Sequence, residues 1–147
     1  MRFSIFAFSI ALITLMCALQ ASDAGGKKQI KATQTWASKH GDNDLAKLAP
    51  SKGFLTEQKA FEELWTGWKL KDKAPKIDFA KEIVVVTLAT GGPNVPRTSF
   101  TLEDNGNVKV LALSTQLGGP GFGYSIDVLN REGIKSIQGK AIEEDKK

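Results

Sequence analysis

An α+β fold, with one amphipathic helix packed against an antiparallel sheet or open barrel of about five strands, is predicted by three stretches of this 147-residue chain. Ile83 to Leu88 reads Ile-Val-Val-Val-Thr-Leu, is largely apolar on both period-2 faces, and stops at Ala-Thr-Gly-Gly-Pro. Such a run is a buried strand that needs a layer above and a layer below. Phe61, Leu64, Trp65 and Trp68 recur at i, i+3, i+4 and i+7, the spacing of one helix face. Asn105-Gly106 lies between two alternating segments and is the strongest hairpin signal in the chain.

Residues 1–24 read as a secretory signal, with Arg2 as the positive end and an apolar run from Ile5 to Leu19 broken only by Ser9 and Thr14. Cleavage is expected after Ala24, with Ala21 as the competing position. The run is shorter than the roughly 20 residues of a membrane-spanning helix, so contact with a membrane is expected only in transit. The destination is then the periplasm or the exterior. Cys17 is the single cysteine and goes with the signal, which leaves a mature domain with no disulfide and no thiol nucleophile. The formal net charge of +4 survives this processing, because one basic residue, Arg2, and one acidic residue, Asp23, are removed. All but three of the basic residues are lysines, scattered rather than striped, which argues against nucleic-acid readout.

From residue 25 to 52 the chain is polar, with Lys27-Lys28, Gly41-Asp42-Asn43-Asp44 and one aromatic, Trp36. Most of it reads as a mobile tether, although Ile30, Ala32 and Thr35-Trp36 fit a short strand and Leu45 to Leu48 one helical turn. The folded domain is expected over 53–140. Thr56 is placed to cap the aromatic helix, whose stripe is core by its spacing, and Gly67 lets its last turn approach the sheet. A charged linker ending at Pro75 leads through Ile77-Asp78-Phe79, where Asp78 can cap the turn, into the valine-rich strand. Ser99 to Leu102 alternates and forms the first arm of the hairpin. Val108, Val110 and Ala112 line one side of the second arm and Lys109, Leu111 and Leu113 the other, which suggests partial cover on both faces. Tyr124, Ile126 and Val128 alternate with Ser125, Asp127 and Leu129 in a third strand. Ile134 to Ile137 offers a short last one, and 141–147 is a charged tail.

Catalytic constellations are scarce, and no catalytic residue, metal site or cofactor is assigned. A Ser-His-Asp arrangement would need a histidine held in a scaffold, and His40, the only one, lies in the polar segment. His40, Asp42 and Asp44 lack the spacing of a zinc or calcium site and read as solvated turn residues. Asp78 and Glu82 are the best carboxylate pair for a hydrolase, though a cap and a surface charge explain them equally. The glycines at 118, 119, 121 and 123 precede a strand pattern rather than a helix and lack a Lys-Ser/Thr ending, which removes a phosphate-cradling loop. They either present Phe122 and Tyr124 to a peptide or sugar, or permit a wide bend with Phe122 packed inward; the bend is favoured. Arg97 and Arg131, able to clamp a carboxylate, complete the candidate binding set of Arg97, Phe122, Tyr124 and Arg131. For both the plainer expectation is a turn-anchoring ion pair, in the case of Arg131 with Glu132 or Asp127.

Phe61-Glu62-Glu63-Leu64-Trp65, Pro75-Lys76-Ile77-Asp78-Phe79 and Glu82-Ile83-Val84-Val85-Val86 occur in that order between Phe54 and about Gly139. In this order they resemble the C-terminal domain of the PrcB family of protease-complex subunits, small secreted bacterial domains. Where that family usually carries Thr-Gly-Gly-Tyr after the strand, this chain has Gly91-Gly92-Pro93-Asn94-Val95-Pro96-Arg97. The resemblance implies help in stabilising an exported protease complex and transfers no catalytic residue. The expected function is therefore a noncatalytic accessory or binding module whose partner is an exported protein or peptide. A carboxylate-pair hydrolase and a structural envelope component are the alternatives.

Overall fold

A computed structural model describes residues 26–142; the expected signal and the end of the charged tail lie outside them. The chain is α+β, as its patterning predicts, but its strands form two antiparallel-rich sheets rather than one sheet of about five, and neither closes into a barrel. The first sheet has the order β2 (Gln34–His40), β7 (Phe122–Asn130), β4 (Glu82–Ala89), β3 (Phe54–Leu55). The second has the order β1 (Lys28–Ile30), β5 (Arg97–Leu102), β6 (Asn107–Leu113), β8 (Ser136–Ile137), β9 (Lys140–Ala141). Within these sheets only β6 and β8 run parallel.

The first sheet is the middle layer. Val84 and Val86 of β4 point into a cluster with Phe61, Leu64 and Trp65 of helix α1 (Gln58–Gly67) and with Trp68 just beyond it. Ile83 and Val85 point the other way, against Phe100 and Val108 of the second sheet. Opposite faces of one strand therefore fill two separate cores, which is why the run has no polar side. The β7 strand behaves likewise: Phe122, Tyr124, Ile126 and Val128 face the helix, while Leu129 faces the second sheet.

The local expectations fare unevenly. The helix begins two residues after Thr56, with Glu57 at the cap position and no side-chain cap bond. Instead, Gln58 ties the helix start to the linker, donating to the Pro75 carbonyl at 3.0 Å and accepting from the Ile77 amide at 3.0 Å. Gly67 lies beside Leu48 of a 3-10 helix (Asn43–Leu48) rather than against the sheet. The hairpin forms, but only Gly106 takes positive φ, at 82°; Asn105 does not. Its Glu103–Gly106 turn leads into Gly106 as a bulge residue, the three-residue loop rather than the two-residue one. Residues 28–48, expected to be mostly tether, supply β1, β2 and the 3-10 helix. Ile142 is buried in the inter-sheet core, so the ordered domain runs past residue 140.

The glycine-rich stretch 118–123 serves packing. A Cβ on Gly121 would run into the His40 carbonyl, and one on Gly123 into the Asn94 carbonyl, so neither backbone approach tolerates a side chain. The buried Asn94 completes the corner: its carbonyl oxygen accepts from the Thr115 hydroxyl at 2.9 Å and the Leu117 amide at 3.1 Å, while its amide donates to the Leu117 carbonyl at 2.9 Å. This side chain ties the loops 91–96 and 114–121 together.

Candidate functional site

The strand β2 stands at the edge of the first sheet. It pairs with β7 over seven residues, Gln34 opposite Val128 through His40 opposite Phe122, and among the described residues its other edge pairs with no strand. Only Trp36 and His40 are half-buried; the other five residues are exposed. Natural sheets protect such edges with proline, bulges, dense charge or a covering loop, because the row of free N–H and C=O groups invites another chain. This edge carries one lysine, Lys39, and none of the other devices.

A cleft runs along each face of β2. On the inter-sheet side lies an open cleft of about 570 Å³, lined by Thr35 and Ala37 of β2, the segment Gln29–Ala32, and Val95 to Phe100. Its floor includes Ser125 and Asp127. Asp127 is 1 % exposed, and three hydroxyls satisfy its carboxylate: Thr35 at 2.7 Å on Oδ1, with Thr98 at 2.9 Å and Ser125 at 2.7 Å on Oδ2. These hydroxyls replace the water that burial removes. Thr98 belongs to the second sheet, so the carboxylate also joins the two sheets.

On the helix side a second cleft, of about 590 Å³, lies between β2 and the end of α1. Trp36, Trp65 and Trp68, all the tryptophans of the chain, line it together with Tyr124. Trp36 packs edge-on against Trp65 at 5.4 Å between ring centroids, and Trp68 lies 4.9 Å from Tyr124. The indole N–H groups of Trp65 and Trp68 are satisfied by the Asp72 and Leu45 carbonyls, at 3.2 Å and 2.8 Å, which holds these two rings in place. Burial raises the Tyr124 phenol above its usual range, partly offset by a hydrogen bond with Ser38 on the facing strand.

Both clefts have basic rims. Lys31 and Arg97 line the inter-sheet cleft, and Lys39, Lys69 and Lys71 the helix-side cleft. None of the five forms an ion pair among the described residues. Among the described residues Asp127 is the only carboxylate lining either cleft, and it is capped by hydroxyls.

The four residues chosen from the sequence do not converge. Arg97 lines the inter-sheet cleft and Tyr124 the opposite one, so the two flank β2 from opposite faces. Phe122 is 1 % exposed and packs against Trp68, with His40 stacked on it at 5.8 Å, which is the inward packing favoured above. Arg131 makes no pair with Glu132 or Asp127; its guanidinium donates to the Phe79 carbonyl at 3.2 Å and its amide to the Lys81 carbonyl at 2.8 Å. It anchors the turn before β4. The carboxylate pair is absorbed by that same turn: Asp78 accepts from the Ala80 amide at 3.2 Å and pairs with Lys81 at 3.5 Å, and Glu82 accepts from the Asp78 amide at 3.3 Å. Neither lines the two clefts. Asp42 and Asp44 cap and brace the 3-10 helix, Asp42 accepting from the Asp44 amide and Asp44 pairing with Lys47. That pairing lowers the Asp44 pKa and raises that of Lys47.

Sequence reasoning missed β2 as a site because its residues are polar on both faces, the signature shared by tethers and edges. The clue was Thr35-Trp36, an aromatic beside a β-branched residue in an otherwise polar run. Compared with known proteins, the chain matches no family model, no curated protein and no solved structure at a significant level.

Proposed function

We propose that this domain is a noncatalytic binding module that accepts an extended segment of another exported protein as an added strand on β2. The observation that carries this reading is the open seven-residue edge of β2 with a cleft on each face. Strand addition draws its affinity from main-chain hydrogen bonds and its specificity from pockets that take alternate side chains of the ligand. Both requirements meet here: a ligand strand beside β2 directs successive side chains into the inter-sheet cleft and toward the tryptophan wall. The rigid middle layer, buried on both sides by its own cores, pre-orders the edge and lowers the entropy lost on binding. The likeness of residues 54–139 to PrcB-type domains favours an exported complex as the source of the segment and stabilisation of that complex as the result.

A photo-crosslinking amino acid placed at Ser38, exposed on β2, tests the reading in the secreted protein. It should trap one defined segment of a partner, and a synthetic peptide of that segment should compete the crosslink away. Crosslinks scattered over unrelated proteins, or a segment peptide that does not compete, would contradict the reading.

A further inference from the structure

The charge around β2 narrows the ligand class, in an inference that rests on the strand-addition reading: we infer that the segment received by this edge is acidic. Lys31 and Arg97 on one side and Lys39, Lys69 and Lys71 on the other frame the two clefts, and none has a carboxylate partner among the described residues. Away from the clefts, Lys47, Lys59, Lys81 and Lys109 have carboxylate partners in Asp44, Glu63, Asp78 and Glu103. The rims of the open edge thus carry five cations with, among the described residues, no lining carboxylate except Asp127. The buried Asp127 does not neutralise them, because both its oxygens are already occupied by hydroxyls.

A strand laid along β2 passes between these rims. Carboxylates at its alternate positions would meet cations without displacing any existing ion pair, whereas a basic segment would meet like charge at every turn of the pleat. A second copy of this chain is disfavoured on the same ground, since pairing β2 with itself would bring two sets of the same cations together. Complementary charge of this kind acts mainly on the encounter rate and on the choice of partner, and it weakens as salt screens it.

The test uses the tryptophan wall as its reporter. An acetylated, amidated peptide alternating Asp with Val is titrated into the whole protein, with its Lys–Val counterpart as control, while tryptophan emission and amide exchange of Gln34–His40 are followed. The Asp–Val peptide should perturb emission and protect β2, binding about ten-fold or more tighter than the Lys–Val peptide at low salt and losing that advantage at high salt. The Lys39→Gln/Lys71→Gln variant, altered only at exposed positions, should narrow the gap. Equal binding of both peptides with β2 protected would overturn the acidic preference while leaving strand addition standing. Binding without protection of β2, or no binding of either peptide, would overturn both. A concentration-dependent dimer with β2 protected in the absence of peptide would show that a second copy is the occupant and overturn the acidic-segment inference.

Discussion

The Thr98 hydroxyl on β5 of one sheet donates a 2.9 Å hydrogen bond to Asp127 Oδ2 on β7 of the other. Asp127 is otherwise held within its own sheet, by Ser125 on its own strand and Thr35 on β2. One buried carboxylate therefore fixes the distance between the layers and the seat of β2 beside β7. Thr98→Val keeps the shape and removes the donor, and should cost about 1–3 kcal/mol, the penalty for taking a partner from a buried polar group. Urea unfolding measures it; a midpoint unchanged from the parent would show that the contact carries no weight.

Gly123 and Gly118 lie in the same glycine-rich stretch and should respond oppositely to alanine. At Gly123 the new methyl would meet the Asn94 carbonyl, and backbone on both sides would have to part. At Gly118 there is open space. Gly123→Ala should destabilise by at least about 1–3 kcal/mol, and Gly118→Ala should stay within about 0.5 kcal/mol of the parent. Thermal melts of the two variants, run together, separate a packing role for the stretch from an exposed binding loop.

Trp68 is completely buried and donates its indole N–H to the Leu45 carbonyl at 2.8 Å, linking the helix end to the 3-10 helix. Trp68→Ala should cost about 3–5 kcal/mol, the range for a large aromatic removed from a core. Trp68→Phe should cost less but leave the Leu45 carbonyl without that partner, and the 3-10 helix should loosen. Faster amide exchange confined to residues 43–49 in Trp68→Phe is the expected signature.

Burial raises the folded-state pKa of Tyr124 above its ordinary value of 10.0. The stability this gives is fully present below that value, where the phenol is neutral in both states. As pH climbs through about 10 the unfolded chain releases the proton first, and stability falls until the folded phenol also ionises. Denaturation curves between about pH 9 and 11 should therefore steepen in loss for the parent relative to Tyr124→Phe, which has no proton to release. Parallel pH profiles for the two would contradict this account of the residue.

Much of this architecture could be read from the residues. The valine strand, the Phe61–Trp68 stripe and the 105–106 hairpin each carry a strong local pattern because each buries a defined set of apolar side chains. The second sheet was harder to read, since Lys109, Leu111 and Leu113 look half-covered in sequence. In the fold their face is open, with Leu111 57 % and Leu113 63 % exposed. The site residues were least legible. An edge strand such as β2 gains its stability from backbone pairing with β7 and writes almost no hydrophobic period. Asp127 looks like a solvent-facing member of an alternating strand, and only the hydroxyls of Thr35 and Thr98, far away in sequence, make its burial tolerable. Arg97 and Tyr124, two of the candidate binding residues, line clefts on opposite faces of β2, a strand whose polar run of sequence does not announce it.

Amide exchange across β2, with and without the segment peptide that crosslinks to Ser38, bears most directly on the binding edge. In the free protein the amides of Gln34–His40 that pair with β7 should be protected and the alternate, outward ones should exchange fast. On addition of the peptide the outward set should slow by orders of magnitude while the inward set stays as it was. A peptide that binds yet leaves the outward amides exchanging at their free rate would place the ligand elsewhere and remove β2 from the function.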